Sequence, residues 1–177
     1  MSKPARKAPA ATPFTDKATL RANARKDIDR GAVTHTYAAD RKTVIAKLNE
    51  ALATEWVCVL RYYRHYFSAS GMLADSVKAE FLEHAQQEQA HANQIAERIV
   101  QLGGEPDLDP ATLAGRSHAE NKPGKNLRDM VKEDLVAERI AIDSYRELMD
   151  YIDDKDTTTK RMLEEILAQE EEHADEF

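Results

Sequence analysis

Glu88-Gln89-Ala90-His91 and Glu170-Glu171-Glu172-His173 are two copies of one step, Glu-x-x-His, in a chain of 177 residues. Residues three apart on an α-helix project from the same face, so each step points a carboxylate and an imidazole in one direction. Each copy follows a lone Glu at nearly the same distance. Glu55 lies 33 residues before Glu88, and Glu138 lies 32 before Glu170. The chain therefore states one arrangement twice: Glu, then Glu-x-x-His. Four carboxylates and two imidazoles converging in a bundle core make up the ligand set of a two-metal carboxylate site.

The flanking residues say which face is involved. Leu48, Leu52, Glu55, Val59, Tyr62 and Tyr66 follow one stripe at steps of three and four, and Val77, Phe81, Glu88, His91, Ile95 and Ile99 follow a second. Val131, Leu135, Glu138, Ile142, Tyr145, Met149 and Ile152 form a third; Leu163, Ile166, Leu167, Glu170, His173 and Phe177 form the fourth. On each stripe one core-facing place is given to Glu. A buried carboxylate costs several kcal/mol unless paired, protonated or metal-bound. Four of them cannot pair with one another, whereas two divalent ions balance their charge and neutral imidazoles complete the shell. A single Glu-x-x-His on a charged helix is ordinarily a solvated pair, as Glu171 and Glu172 are expected to be. Two copies on apolar stripes, each preceded by a core Glu, are not explained that way.

The rest of the chain predicts an all-α fold. Its length suits one domain. Six Gly and six Pro, most of them in two stretches, leave room for long helices. Residues 1–14, rich in Pro, Ala and Lys, read as a mobile tail, and residues 15–30 as a short helix capped by Thr15 or Asp16 and stopped by Gly31. Four long helices are expected: Asp40 to Ser68, Leu73 to Leu102, Asn126 to Asp153, and from Asp156 or Thr157 to the end. A short turn at 68–71 implies an antiparallel neighbour, and the polar stretch 103–125 implies a long crossover between the second and third helices. The expected organisation is thus a basic extension over 1–39 and a four-helix bundle over 40–177. Only four residues follow His173, which places it where helix ends fray. One cysteine, Cys58, excludes a disulfide framework or a cysteine-based metal site within one chain and suits a reducing cytoplasm. No apolar run approaches membrane-spanning length, and the first residues lack the apolar segment of a secretory signal.

These residues resemble the ferritin-like superfamily, and within it the bacterioferritin branch, over roughly residues 40–177. The resemblance rests on Glu55 with Tyr62 two turns on, Glu88-x-x-His91 followed by Ala92 and Glu97-Arg98-Ile99, Asp134-Leu135-x-x-Glu138, and Glu170-x-x-His173. It implies two irons held within one subunit, Glu55 and His91 terminal on one, Glu138 and His173 terminal on the other, and Glu88 and Glu170 bridging both. Manganese is the alternative metal. The implied activity is oxidation of ferrous iron by dioxygen or peroxide, for storage and detoxification, in a hollow cage of 12 or 24 copies or at minimum a dimer. Departures from the family narrow this. The bacterioferritin haem methionine is replaced by Gln89, so no haem is expected. The extra rubrerythrin Glu is replaced by Ala141, and its cysteine-rich module is absent. Proteins of the Dps group place their ligands across a subunit interface in another pattern, and Cys58 alone does not make the cysteine pair of thioferritins. The basic tail, however, looks Dps-like.

Charge is unevenly divided. Residues 1–30 hold eight Lys and Arg against three Asp, net +5; the remainder holds 17 basic against 29 acidic residues, net −12. An acidic body attracts cations, and a basic arm suits phosphate backbones without sequence readout. Two rivals to iron oxidation and storage follow: a fixed di-iron or di-manganese oxidase or catalase, and a DNA-binding stress-protection protein. Tyr62, Tyr63 and Tyr66 are expected in core or interface packing, with Tyr62 placed to hydrogen-bond a ligand or donate an electron. Cys58 is expected to be a small buried hydrophobe. His65, His84 and His118 are expected at the surface or an interface. Trp56 lies beside the ligand stripe.

Overall fold

The computed structural model describes residues 14–177, so the expected mobile tail falls, but for Phe14, outside the described residues. The helices are α1 (Lys17–Asn23), α2 (Arg41–Ser68), α3 (Ala74–Gln101), α4 (Leu113–Arg116), α5 (Leu127–Ile152) and α6 (Thr157–Glu176), and no strand occurs among the described residues. Three of the four long helices start where capping side chains stand. Asp40 accepts from Lys42 N at 3.2 Å, Asn126 from Asp129 N at 3.0 Å and Asp156 from Thr159 N at 2.9 Å, each satisfying an amide that the helix cannot. Helix α3 has no side-chain cap. It stops at Gly103, whose φ of +75° suits glycine and lets the amides of Gly103 and Gly104 return to Val100 and Ile99.

Helix α2 packs along α3 and α5 along α6; α2–α5 and α3–α6 contacts close the ring. The 103–125 crossover is not a loose strap. Arg116 donates to the carbonyls of Asn49 (3.1 Å) and Asp107 (2.9 Å), the Asn49 side chain holds Glu105 O and Asp107 N, and His118 N donates to Thr54 Oγ1 at 3.0 Å. Its short α4 therefore lies against α2. Ala119 reaches further in, packing on Cys58 and Ala137.

One expectation fails upstream of the bundle. The helix foreseen over 15–30 ends at Asn23; Asp27 turns left-handed at φ +52°, and a single 3₁₀ turn, Ile28–Arg30, is closed by Gly31. No residue of α1 is buried, so only local propensity supports it, which is marginal for so short a helix. Contact with the core begins at Val33 and Tyr37.

The apolar core has two large parts besides the small Cys58–Ala119–Ala137 cluster. Val44, Leu48, Leu52, Ile95, Ile99, Tyr145, Ile152, Leu163 and Ile166 belong to one cluster, and Tyr62, Phe81, Ala85 and Met130 to another. Along α2, α3 and α5 the Glu positions lie between these two sets, so the carboxylates form a polar layer across the middle of an otherwise apolar bundle. Helix α5 corrects the expected stripe. Val131, Leu135 and Met149 are only partly buried, while Asp134, Ala137, Ala141 and Leu148 are buried beside Glu138. The place expected of Leu135 goes to Asp134 because Arg61, fully buried on α2, needs a carboxylate opposite it.

Candidate metal centre

The helical period brings all six expected ligands together. Glu55 on α2, Glu88 and His91 on α3, Glu138 on α5, and Glu170 and His173 on α6 are each at most 2% exposed. They form two overlapping groups, Glu55–Glu88–His91–Glu170 and Glu88–Glu138–Glu170–His173, in each of which one ligand atom per residue lies within 4.8 Å of every other. Glu88 and Glu170 belong to both. Each divides its oxygens between the imidazoles: Glu88 Oε2 is 3.7 Å from His91 Nδ1 and its Oε1 3.7 Å from His173 Nδ1; Glu170 Oε1 is 2.9 Å from His91 Nδ1 and its Oε2 3.9 Å from His173 Nδ1. His173 is not frayed, since α6 stays helical to Glu176.

Eight donor atoms of these residues are buried with no aligned hydrogen bond: Glu55 Oε2, both oxygens of Glu88 and of Glu170, Glu138 Oε2, and Nδ1 of both histidines. Buried polar atoms are almost always satisfied, and eight orphans pointing at one place could together hold a cation. Oxygen-rich donors with two imidazoles suit iron or manganese.

A second layer orients these ligands, and it repeats with the same two-fold pattern. Tyr62 on α2 donates to Glu138 on α5, and Tyr145 on α5 donates to Glu55 on α2. Each tyrosine lies seven residues after the Glu of its own helix, Glu55 to Tyr62 and Glu138 to Tyr145, and donates to the Glu of the other. Gln169 accepts from His91 Nε2, and Gln87 accepts from His173 Nε2 at 2.8 Å. These amides hold the Nε2 protons, so Nδ1 of each ring is the nitrogen that faces the carboxylates. The doubled unit is thus Glu-x6-Tyr followed by Gln-Glu-x-x-His. Tyr145 stood in the expected core stripe but without this role, and Gln87 and Gln169 were not foreseen; their repetition directly before each Glu-x-x-His was the available signal.

The two-fold pattern breaks around Glu138. Arg61 donates to Asp134 at 2.7 Å and brings Nη2 within 3.9 Å of Glu138 Oε1; His65 Nδ1 lies 2.8 Å from Asp134 Oδ2, and its Nε2 donates to Lys122 O at 3.0 Å. His65 and His84, expected at the surface or an interface, are instead buried within the bundle, where each finds polar partners; His118 is exposed. Cys58 is buried as expected, and burial pushes its thiol pKa up. Tyr63, Tyr66 and Trp56 are partly buried against the apolar clusters. Gln89 is exposed on α3.

The electrostatics are those of four carboxylates crowded with two imidazoles into one buried layer. Burial, then the charge of Glu88, raises Glu55 to about 8. Glu170 is raised well above the carboxylate range by burial and by Glu88, Glu55 and Glu138. Burial opposes ionisation of Glu88 too, but hydrogen bonding to His173 and His91 wins and lowers it. For His173 burial is outweighed by Glu138 and Glu88, which lift it to about 9. Burial, reinforced by Glu138 and Glu55 respectively, keeps Tyr62 and Tyr145 protonated as donors.

Fold and site together define a four-helix bundle with an internal layer of carboxylates and imidazoles that could hold metal. The chain belongs to the ferritin-like domain family, whose model matches residues 45–177. Bacterioferritin from Brucella melitensis is 29% identical over 133 residues, 75% of this chain and 78% of its own length. A nutrient stress-induced DNA-binding protein from a Synechococcus strain is 33% identical over 130 residues, 72% and 74% of the two chains. Among solved structures, the dodecameric thioferritin described as the bacterioferritin-related protein of Bacteroides fragilis is 34% identical, with a TM-score of 0.75 over 78% of this chain and 83% of that one. Dps from Thermosynechococcus elongatus shares the fold at 20% identity, with a TM-score of 0.72 over 75% and 86% of the two chains. Among the described residues no helix is long and apolar enough to cross a membrane.

Proposed function

We propose that this chain oxidises ferrous iron, using dioxygen or peroxide, at the layer formed by Glu55, Glu88, His91, Glu138, Glu170 and His173, and that it serves iron storage and detoxification. The observation that carries this reading is the convergence of eight unsatisfied buried donor atoms from four helices. In it, Glu55 with His91 and Glu138 with His173 each hold one ferrous substrate ion. Glu88 and Glu170 hold both, because each presents one oxygen to either side. Tyr62 and Tyr145 fix the two terminal carboxylates, while Gln87 and Gln169 fix the imidazole tautomers. Binding displaces the protons that Glu55 and Glu170 keep in the metal-free state.

Self-association into a cage fits the exposed apolar residues Leu60 on α2, Val100 on α3 and Val136 on α5. It also fits the dodecamer named for the thioferritin relative. The extension over 1–39 is assigned a role apart from the bundle over 40–177. A second reading, DNA binding by the arm in stress protection, is favoured by the Synechococcus relative's name and by exposed Lys17, Arg21, Arg25, Lys26 and Arg30. The principal test is metal stoichiometry with oxidation rate. Metal-free protein should hold two ferrous or cobaltous ions per chain at the central layer. Glu88→Ala or Glu170→Ala should abolish fast oxidation, while Glu171→Ala and Glu172→Ala, at exposed positions, should change it little. Equal effects of Glu170→Ala and Glu171→Ala would refute the assignment.

A further inference from the structure

We infer that Glu80, His84 and Glu176 form a separate, solvent-facing site for one divalent transition-metal ion beside the central layer. Their ligand atoms lie within 4.8 Å of one another. Glu80 and His84 are one turn apart on α3 and share a face; Glu176 reaches them from the last turn of α6. His84 is 1% exposed, whereas Glu80 and Glu176 are exposed, so the site is open at its carboxylate end and closed behind the imidazole.

The hydrogen bonds around His84 point to a cation. Tyr62 Oη donates its proton to Glu138, so toward His84 Nδ1, 3.4 Å away, it can only accept. That places the proton of a neutral imidazole on Nδ1 and leaves a lone pair on Nε2. Yet Nε2 lies 2.7 Å from Glu176 Oε2, another acceptor. Two lone pairs this close need a positive charge between or beside them. A metal ion accepting from both, with Glu80 as third ligand and water completing the shell, supplies it. The logic is that of His91 and His173, where a partner holds one ring proton and the other nitrogen faces carboxylates.

The site's position gives it a use. The His84 ring stacks on that of His173, with centroids 4.2 Å apart and planes 19° from parallel, and Tyr62 links it to Glu138. An ion captured from solvent by Glu80 and Glu176 thus stands one residue away from the Glu138–His173 half of the central layer. The role as a supply point rests on the central reading above; the existence of the site does not.

Cobalt binding to the metal-free full chain separates the two. The expected count is three ions per chain for the unaltered protein, two for Glu80→Gln/Glu176→Gln, and a retained outer ion in Glu138→Ala/Glu170→Ala. Bound cobalt should shift the ring-proton resonances of His84 in the central-layer variant Glu138→Ala/Glu170→Ala, where no central ion lies behind His173, and should not when Glu80→Gln/Glu176→Gln is added to that variant. Two ions per chain both with and without Glu80 and Glu176, and no site-dependent shift at His84, would overturn the inference and leave Glu176 as the partner of an imidazolium. A single ion, lost in Glu80→Gln/Glu176→Gln and kept in the central-layer variant, would support this site and sink the central one.

Discussion

Gln87 and Gln169 are amides one position outside the ligand set, and they decide which nitrogen of each histidine faces the carboxylates. Each comes from the helix opposite its histidine, so α3 and α6 orient one another's ligands. Gln169→Leu removes the acceptor of His91 Nε2–H, and Gln87→Leu that of His173. Loss of such a partner costs roughly 10–100-fold in metal affinity. Cobalt titration of each variant should show that loss at one central ion and not the other; unchanged affinity in both would deny them the positioning role. Tyr145→Phe should weaken the Glu55 side in the same way, by freeing its carboxylate. The convergence of these six residues was legible in the sequence because Glu-x-x-His and the apolar stripe share the helical period. Their partners were harder to read, since every one of these hydrogen bonds crosses between helices and sequence spacing speaks only for one helix at a time. Tyr145 illustrates this: its stripe placed it in the core, but nothing along α5 shows that Glu55 lies within reach. His65 and His84 were misplaced for the same reason, their partners being on α5, the crossover and α6.

Helices α2 and α5 meet at a charged contact that the bundle pattern does not require. Arg61 and Asp134 are fully buried, paired at 2.7 Å, and His65 ties Asp134 to the crossover at Lys122 O. Removing one partner of such a pair strands a charge and costs about 3–5 kcal/mol, whereas replacing both by apolar residues is often neutral. Asp134→Ala should therefore lower the unfolding free energy of the metal-free protein by about that amount in urea titration. Arg61→Met/Asp134→Leu should recover most of it. Failure of the double variant to recover would mean that the contact is held by His65 and the crossover rather than by charge. Helix ends were legible at this scale because Asp40, Asn126 and Asp156 are capping residues and Gly103 a terminator. What was not legible is that 103–125 docks on α2 through Arg116 and Asn49, since the polar composition of that stretch reads equally as a free loop. The break at Asp27 was equally hidden, because Lys17–Asn23 reads as an adequate helix and only the lack of anything to bury limits it.

Across the whole molecule, the metal-free bundle holds protons in place of metal, and its stability should follow pH accordingly. Glu55 rises from 4.5 to about 8 and His173 from 6.5 to about 9 on folding. A group with a raised folded pKa contributes stability that is complete below its unfolded value and lost as pH climbs through the folded one. Glu88 is lowered, so its contribution is kept above 4.5 and does not reverse this trend. Metal-free protein should thus lose thermal stability from pH ~5 to ~9. Metal-loaded protein should lose less over the same range, because the ions take the protons' place. A flat metal-free profile would contradict the burial of these groups. The other whole-molecule feature is the division of charge, +5 over residues 1–30 against −12 over the rest. Only the arm can attract a phosphate backbone, and the body repels it. Several arms on one assembly would act together, so weak single contacts suffice to retain DNA at low salt. Binding should weaken steeply with salt, since each neutralised phosphate releases counterion. Deleting residues 1–30 should abolish plasmid retention in a gel shift while leaving iron oxidation intact, because every central ligand lies at or after Glu55. If full-length assemblies do not retard plasmid at low ionic strength, the DNA-binding reading fails. If the deletion instead splits the assembly, exposed Leu20 and Ile28 mark the arm as part of a contact between copies.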